Sequence, residues 1–270
     1  MKMQKKIGFI GAGNMATAII NGMLTNGACA PQSLFLFDID KDKLAQLCQS
    51  RGINACPSAA QVVQACDIIV LAVKPQNYRE VLFDLRSVVT KEKVFVSIAA
   101  GISIAFVTQA LGCDCPCVRV MPNTPLLLGE GATALCPSDN IKDEDFQTVY
   151  DMFALSGVCE ILPESQMNTV IAVNGSSPAY VYLFAKAMAD YAKQEGIEEK
   201  TAMRLICATL KGSAKMLEES GDTPDALIQK VSSKGGTTIA ALNKLEEAGF
   251  YTAIQSAMHS CTKRAQELSQ

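Results

Sequence analysis

Two stretches of this chain combine residue types and spacing that could do chemistry. The first is Gly11-Ala12-Gly13-Asn14-Met15-Ala16, which follows the apolar segment Ile7-Gly8-Phe9-Ile10 directly. A G-x-G-x-x-G/A pattern is weak by itself, but between a strand and a helix it marks a phosphate-binding turn. Gly11 permits the tight turn, Gly13 lets backbone approach a pyrophosphate, and Ala16 lets the helix pack closely on the strand. The helix opening through Asn14 and Met15 then offers free N–H groups and a positive dipole end to the phosphates. A glycine turn that holds no ligand is the competing reading. The second stretch runs from Val231 to Leu242 and contains Gly235-Gly236-Thr237-Thr238. Two glycines and two threonines at a helix start leave backbone N–H groups and hydroxyls at a positive helix end. That suits a small carboxylate, with a threonine hydroxyl for a neighbouring heteroatom. A plain helix cap explains the same residues equally well.

Asp38 closes the apolar segment Leu34-Phe35-Leu36-Phe37. At the end of a second strand, a carboxylate can bind the ribose 2′-hydroxyl of NAD, and a 2′-phosphate there would meet a negative charge. The charge favours NADH slightly over NADPH. Lys41 and Lys43 could compensate, and helix capping by Asp38 or Asp40 competes with ribose binding. Ala72-Val73-Lys74-Pro75 and Ala99-Ala100-Gly101 end two further strands, so their backbones are expected to line the same crevice. Lys74 is expected to shape that crevice rather than to act as an acid.

The elements that must position these groups follow from hydrophobic periodicity. Short buried strands are expected at 7–10, 34–37, 68–73, 94–98 and 117–121. Helices are expected from residue 14 and over 41–49, 78–88 and 104–111. This alternation indicates an α/β fold with a doubly wound parallel sheet. From about Ser165 onward helices replace strands. Tyr180, Phe184, Ala187, Met188 and Tyr191 make one apolar stripe ending at Gly196, and a second covers 202–217. Thr223-Pro224 is a strong helix start, and Gly249 separates the last two helices. The expected domains are a Rossmann-type dinucleotide-binding domain over 1–163 and an all-α substrate-binding and dimerisation domain over 164–270. A domain this small with stripes this apolar is expected to bury them against a second copy.

Composition narrows the function classes. The 270 residues are 49% hydrophobic and carry a net charge of -3, which does not draw nucleic acid or an anionic membrane. No stretch approaches the roughly 18–20 apolar residues of a membrane helix. The polar start and the short apolar run at 7–10 do not make a signal peptide, so a cytoplasmic location is expected. Eleven cysteines, an odd number, read as free thiols. Cys113, Cys115 and Cys117 lack the paired C-x2-C spacing of structural zinc sites, so no metal is expected. The lone His259 is expected to be structural or exposed.

At the level of motifs, the chain resembles the pyrroline-5-carboxylate reductases, which make L-proline by reducing a cyclic imine. The resemblance is carried by Gly8 to Ala16, Ala72-Val73-Lys74-Pro75-Gln76, Met121-Pro122-Asn123-Thr124-Pro125, Gly129 to Thr133 and Asn174-Gly175-Ser176-Ser177-Pro178-Ala179-Tyr180. Ser233 to Leu242 and Leu245 to Phe250 complete it. It implies hydride transfer from NADPH or NADH to the imine, with Thr238 bonded to the ring nitrogen as the catalytic contact. Backbone N–H groups around Gly236, Thr237 and Thr238 would hold the substrate carboxylate. It further implies a helical domain that dimerises by interleaving, rings of dimers, and a site at the subunit interface. Three positions depart from the family pattern: Lys234 replaces a proline, Ser177 a common glycine, and Ala59 an asparagine that often touches the cofactor. A protonated imine carbon is already electrophilic, so proximity and orientation are the protein's main tasks. The rival readings are a β-hydroxyacid or 6-phosphogluconate-type dehydrogenase, which would need Lys186 or Lys193, and a dinucleotide-binding regulator without activity.

Overall fold

The computed structural model describes residues 3–269. Met1, Lys2 and Gln270, at the outer ends of the two expected domains, lie outside them. The chain forms two compact units: residues up to Ser176 together with those from Cys261 onward, and Ser177–Ser260.

The first unit is built on an eight-stranded sheet in the order β3-β2-β1-β4-β5-β6-β7-β8. Its strands are β1 (Ile7–Ile10), β2 (Leu34–Phe37), β3 (Asn54–Ala55), β4 (Ile68–Leu71), β5 (Val94–Ser97), β6 (Cys117–Met121), β7 (Gly131–Pro137) and β8 (Gly157–Ile161). The helices between them are α1 (Asn14–Thr25), α2 (Lys41–Arg51), α3 (Ala59–Ala65), α4 (Tyr78–Leu85), α5 (Ile104–Leu111) and α6 (Asp143–Ala154). Alternate strand residues feed two cores. Ile7, Phe9, Ile68, Val70, Val94 and Val96 join the core containing α1 and α6 residues. Ile10, Ile69, Leu71 and Phe95 join the core containing α3, α4 and α5 residues. Burial on both faces is why these strands read as continuous apolar runs.

The expected parallel sheet holds for β2, β1, β4, β5 and β6, in that order. Three strands were not anticipated: β3, a two-residue strand parallel to β2 at the sheet edge, and β7 and β8. β7 pairs antiparallel with β6, and β8 parallel with β7. The link from β6 to β7 contains only the 3-10 turn Thr124–Leu128, too short for the helical crossover that a parallel neighbour needs. The link from β7 to β8 contains α6 and restores the parallel direction. β4 also stops at Leu71, so Ala72 and Val73, expected inside a strand, belong to the loop.

The last strand ends at Ile161, close to the expected change at 163, but the packing units part between Ser176 and Ser177. Residues 164–176 pack on the sheet. Met167 is buried with Ala134 and Cys136, and a single π-turn, Ile171–Gly175, carries Asn174 into bonds with Met121 and Ala132. Arg119 on β6 is 4% exposed and faces Glu164 at 3.6 Å while donating to the Asn168 amide. Burial pulls the Arg119 pKa down and Glu164 opposes that shift. Asn168 in turn bonds Ser269 at 3.2 Å, which ties the end of the chain to the sheet.

The second unit contains α7 (Ser177–Gln194), α8 (Glu199–Glu219), α9 (Pro224–Lys230), α10 (Thr237–Glu247) and the start of α11 (Phe250–Leu268). Thr223 caps α9 by accepting from the Ala226 N–H at 3.3 Å, with Pro224 at the first helical position. Gly249, at φ +70°, separates α10 from α11 as expected. α7 buries no residue within one chain, and α8 buries only Ala202 and Ile206. No helix among the described residues is long and apolar enough to cross a membrane.

Replacing Glu164 with alanine leaves the Arg119 guanidinium with Asn168 but no counter-charge, and removes the acceptor of the Ile104 N–H at 2.7 Å. Because Glu164 is itself more than a third exposed, the expected loss is roughly 2 kcal/mol, between the values for surface and buried pairs. Urea unfolding with an unchanged m-value should show it; an unchanged midpoint would mean Asn168 alone stabilises the arginine.

Candidate active site

The glycine turn lies where the strand order reverses, between β1 and β4. The Gly11 N–H donates to the Phe37 carbonyl at 2.8 Å, and the Ala72 N–H to the Ile10 carbonyl at 2.8 Å. The turn is therefore wedged between the ends of β2 and β4. Gly11 has φ +106°, and a Cβ there would lie 2.6 Å from the Ala72 carbonyl oxygen. At Gly13 a Cβ would meet only that same oxygen, at 4.0 Å, so the space over Gly13 is open. α1 begins at Asn14 behind Gly13 with no side-chain cap and no acid in its first turn. Its first N–H groups, from Asn14 to Ala16, are left for an external acceptor. Ala12 and Ala16 are fully buried behind the turn, while Asn14 is exposed and Met15 half-buried.

Asp38 has a role in holding this turn. One carboxylate oxygen accepts from the Ala12 N–H at 2.6 Å and the other from the Asp40 N–H at 2.8 Å. Around the turn opens a cleft of about 660 Å³, lined by Gly11, Gly13, Asp38, Ile39, Lys43, Ser58, Ala59, Ala60, Ala72, Val73, Lys74, Asn77, Glu80 and Asp84 among others. An open glycine cradle with free helix N–H groups fits a dinucleotide pyrophosphate. Ala59 does line this cleft but offers no amide to it.

The remaining expected residues fall elsewhere. Pro75 opens a 3-10 turn, Pro75–Asn77, beside the cleft. Ala99 is buried and Ala100 half-buried, and neither lines this cleft. Gly101 packs on the end of α11, where a Cβ would lie 2.9 Å from the Leu268 Cβ and 3.0 Å from the Ala265 carbonyl. The loop after β5 thus turns toward the C-terminal helix, a contact between distant segments.

Two supports had no sequence signal strong enough to single them out. The buried Tyr78 hydroxyl donates to the Leu71 carbonyl at 2.6 Å and accepts from Ser97 at 3.2 Å, which holds the end of β4 where the cleft floor begins. Burial pushes its ionisation up, so it stays a neutral donor. Asn123 and Asn174 clamp the end of β6. Asn123 accepts from the Ala132 N–H at 2.9 Å and donates to the Asn174 carbonyl at 3.1 Å. Asn174 donates to the carbonyls of Met121 at 2.7 Å and Ala132 at 2.8 Å. Both asparagines sit inside the motifs named above, but Asn123 lies between Pro122 and Thr124 and Asn174 between Val173 and Gly175, and neither setting marks a clamp.

In the second unit, Gly235 takes the left-handed φ of +73° and Gly236 is the extended cap of α10. The Gly236 N–H donates to the Ser233 carbonyl at 2.9 Å. A Cβ on Gly236 would lie 2.6 Å from the Ser233 hydroxyl and 3.0 Å from its carbonyl, so this fold-back requires glycine. Thr237 and Thr238 open the helix with no side-chain cap and no acid in the first turn. The helix end keeps its positive character, and Lys234 adds to it.

Other candidates carry less. His259 is exposed, and Lys186 on α7 is ion-paired with Asp190. Burial pushes the Cys115 thiol up to about 12 and the Cys117 thiol well above its usual value, which makes both inert. Among the described residues no group of three His, Cys, Asp or Glu is placed to hold a metal.

Comparison with known proteins matches residues 164–268 to the family described as pyrroline-5-carboxylate reductase dimerisation, and 6–101 to NADP oxidoreductase, coenzyme F420-dependent. A pyrroline-5-carboxylate reductase of Escherichia coli K12 is 42% identical over 99% of both chains. The solved pyrroline carboxylate reductase of Plasmodium falciparum, with NADP bound, superposes at TM-score 0.92, with 29% identity over 100% of both chains. That of Coxiella burnetii superposes at 0.89, with 31% identity over 99% of this chain and 100% of its own.

Gly11→Ala combines a disfavoured φ with a clash against backbone that cannot retreat. It should weaken dinucleotide binding at least about tenfold, as any shift of the turn misaligns the phosphate donors. Titration of nicotinamide fluorescence checks this; unchanged affinity would remove the turn from the site.

Proposed function

The chain belongs to the pyrroline-5-carboxylate reductase family, whose members are NAD(P)H-dependent oxidoreductases, and we propose how its residues reduce 1-pyrroline-5-carboxylate to L-proline. The observation that carries the reading is the uncapped start of α10 at Gly235-Gly236-Thr237-Thr238. A helix end with free N–H groups, no acid and a hydroxyl on its second residue matches a small ring with a carboxylate beside a nitrogen. Bound NAD(P)H supplies the hydride to the imine carbon. Gly11, Gly13 and the first turn of α1 bind the pyrophosphate, with Asp38 holding the turn through the Ala12 N–H at the cleft wall and Ala72 to Lys74 forming the cleft floor. Backbone N–H groups of Thr237 and Thr238 hold the substrate carboxylate, and the Thr238 hydroxyl engages the ring nitrogen. Since the protonated imine is already electrophilic, the chain contributes position and orientation and no general base is required. The dehydrogenase alternative would draw on a lysine such as Lys186, which here is engaged with Asp190 on an exposed helix surface.

A dimerisation-family match and the open helices of the second unit support homo-oligomerisation. Leu183 is 67% exposed, Tyr191 64% and Leu205 62%, apolar area that a second copy would cover. Interleaved dimers assembled into a ring are the form we assign to it. A cytoplasmic location is supported by eleven cysteines that are all free.

Thr238→Ala should lower kcat/KM for pyrroline-5-carboxylate roughly 10- to 100-fold, the worth of one hydrogen bond to a charged group, and leave the cofactor Kd unchanged. Loss of absorbance at the reduced-nicotinamide band follows the reaction, and undiminished turnover would sink the role given to Thr238. Sedimentation equilibrium should give a dimer or a multiple of it; a monomer across the whole concentration range would contradict the assembly.

A further inference from the structure

NADH and NADPH differ at one point, the ribose 2′ position, which a Rossmann-type fold reads at the loop after its second strand. A 2′-phosphate needs backbone N–H donors and cations there, whereas a 2′-hydroxyl needs an acceptor. In this chain two backbone donors at this loop and the start of α2 are already taken by the chain's own carboxylates. The Asp40 N–H donates to Asp38 at 2.8 Å, and the Lys43 N–H, in the first turn of α2, donates to Asp40 at 3.1 Å. Asp42 adds a further acid to that turn. Asp38 cannot swing aside, because its other oxygen holds the Ala12 N–H at 2.6 Å and with it the glycine turn.

We propose that this self-occupied anion site makes the chain selective for NADH, with Asp38 as the residue that determines the choice. Each Asp38 oxygen keeps a lone pair after its backbone bond, enough to accept from a ribose hydroxyl. The same charge repels a phosphate at that position. The cleft does not offset it: its cations Lys43 and Lys74 are matched by Asp38, Glu80 and Asp84, Lys41 is exposed and not part of its lining, and no arginine among the described residues lines it. The inference rests on the reading of this cleft as the cofactor site.

The test is binding to the full chain, measured by nicotinamide fluorescence for NADH and NADPH and by thermal shift for ADP-ribose and its 2′-phosphate. Native protein should bind NADH at least about tenfold more tightly, the scale of one like-charge contact at a partly screened site. ADP-ribose should raise the Tm more than its 2′-phosphate does. Asp38→Asn keeps an oxygen for the Ala12 N–H while removing the charge, and should narrow the ratio. Adding Asp40→Ser, which retains a helix cap, should narrow it further or invert it. Native protein that binds NADPH as tightly as NADH, or a ratio unmoved by Asp38→Asn, overturns the proposal. If pyrroline-5-carboxylate is turned over with NADPH preferred, only the selectivity falls. If neither dinucleotide binds, the cleft reading falls and the selectivity with it.

Discussion

The closeness of the Ala72 carbonyl to Gly11 is the constraint on which the rest of the first unit depends. With 2.6 Å between that oxygen and the place of an absent Cβ, β1 and β4 can lie side by side and still let the chain turn between them. Strand order reverses at this junction, so the turn emerges into a cleft rather than under a neighbouring crossover. Asp38 pulls on the turn from one side through Ala12, and Tyr78 holds the Leu71 carbonyl on the other. The cleft is thereby a product of backbone geometry, with few side chains committed to it.

The starts of α1 and α10 differ from those of the capped helices. α2, α3, α5, α8 and α9 are closed by the side chains of Asp40, Ser58, Ser103, Glu198 and Thr223, and α6 carries three acids in its first turn. α1 and α10 instead begin behind glycines, without a side-chain cap and without an acid. An uncapped helix start costs stability unless something else satisfies its N–H groups. Those two helices are where a pyrophosphate and a substrate carboxylate would supply the missing acceptors. α2, by contrast, is capped by Asp40 and carries Asp42 in its first turn.

The second unit follows a different economy. Its helices bury little within one chain, and large apolar side chains remain open on α7 and α8. A unit of this kind reaches adequate burial by association, which is what a dimerisation family supplies.

By itself the sequence determined what depends on neighbours along the chain. The glycine turn, the strands β1, β2 and β4 to β6, the start of α9 at Thr223-Pro224, and the bare start of α10 all rest on local sterics, periodicity and capping. Only the tertiary structure decided what depends on contacts between distant segments. β7 is made of small residues whose strand character comes from lying against β6, and its direction follows from the short connection between them. The Asn123–Asn174 clamp and the Arg119–Glu164–Asn168 network join β6 to a segment beyond the last strand, so neither partner announces the other. Gly101 looked like a crevice residue because it ends a strand, but it packs on the end of α11. Asp38 was legible as a carboxylate at the right place. That both its oxygens are committed to backbone N–H groups was decided by the fold, because Ala12 reaches it only when β1 and β2 pair.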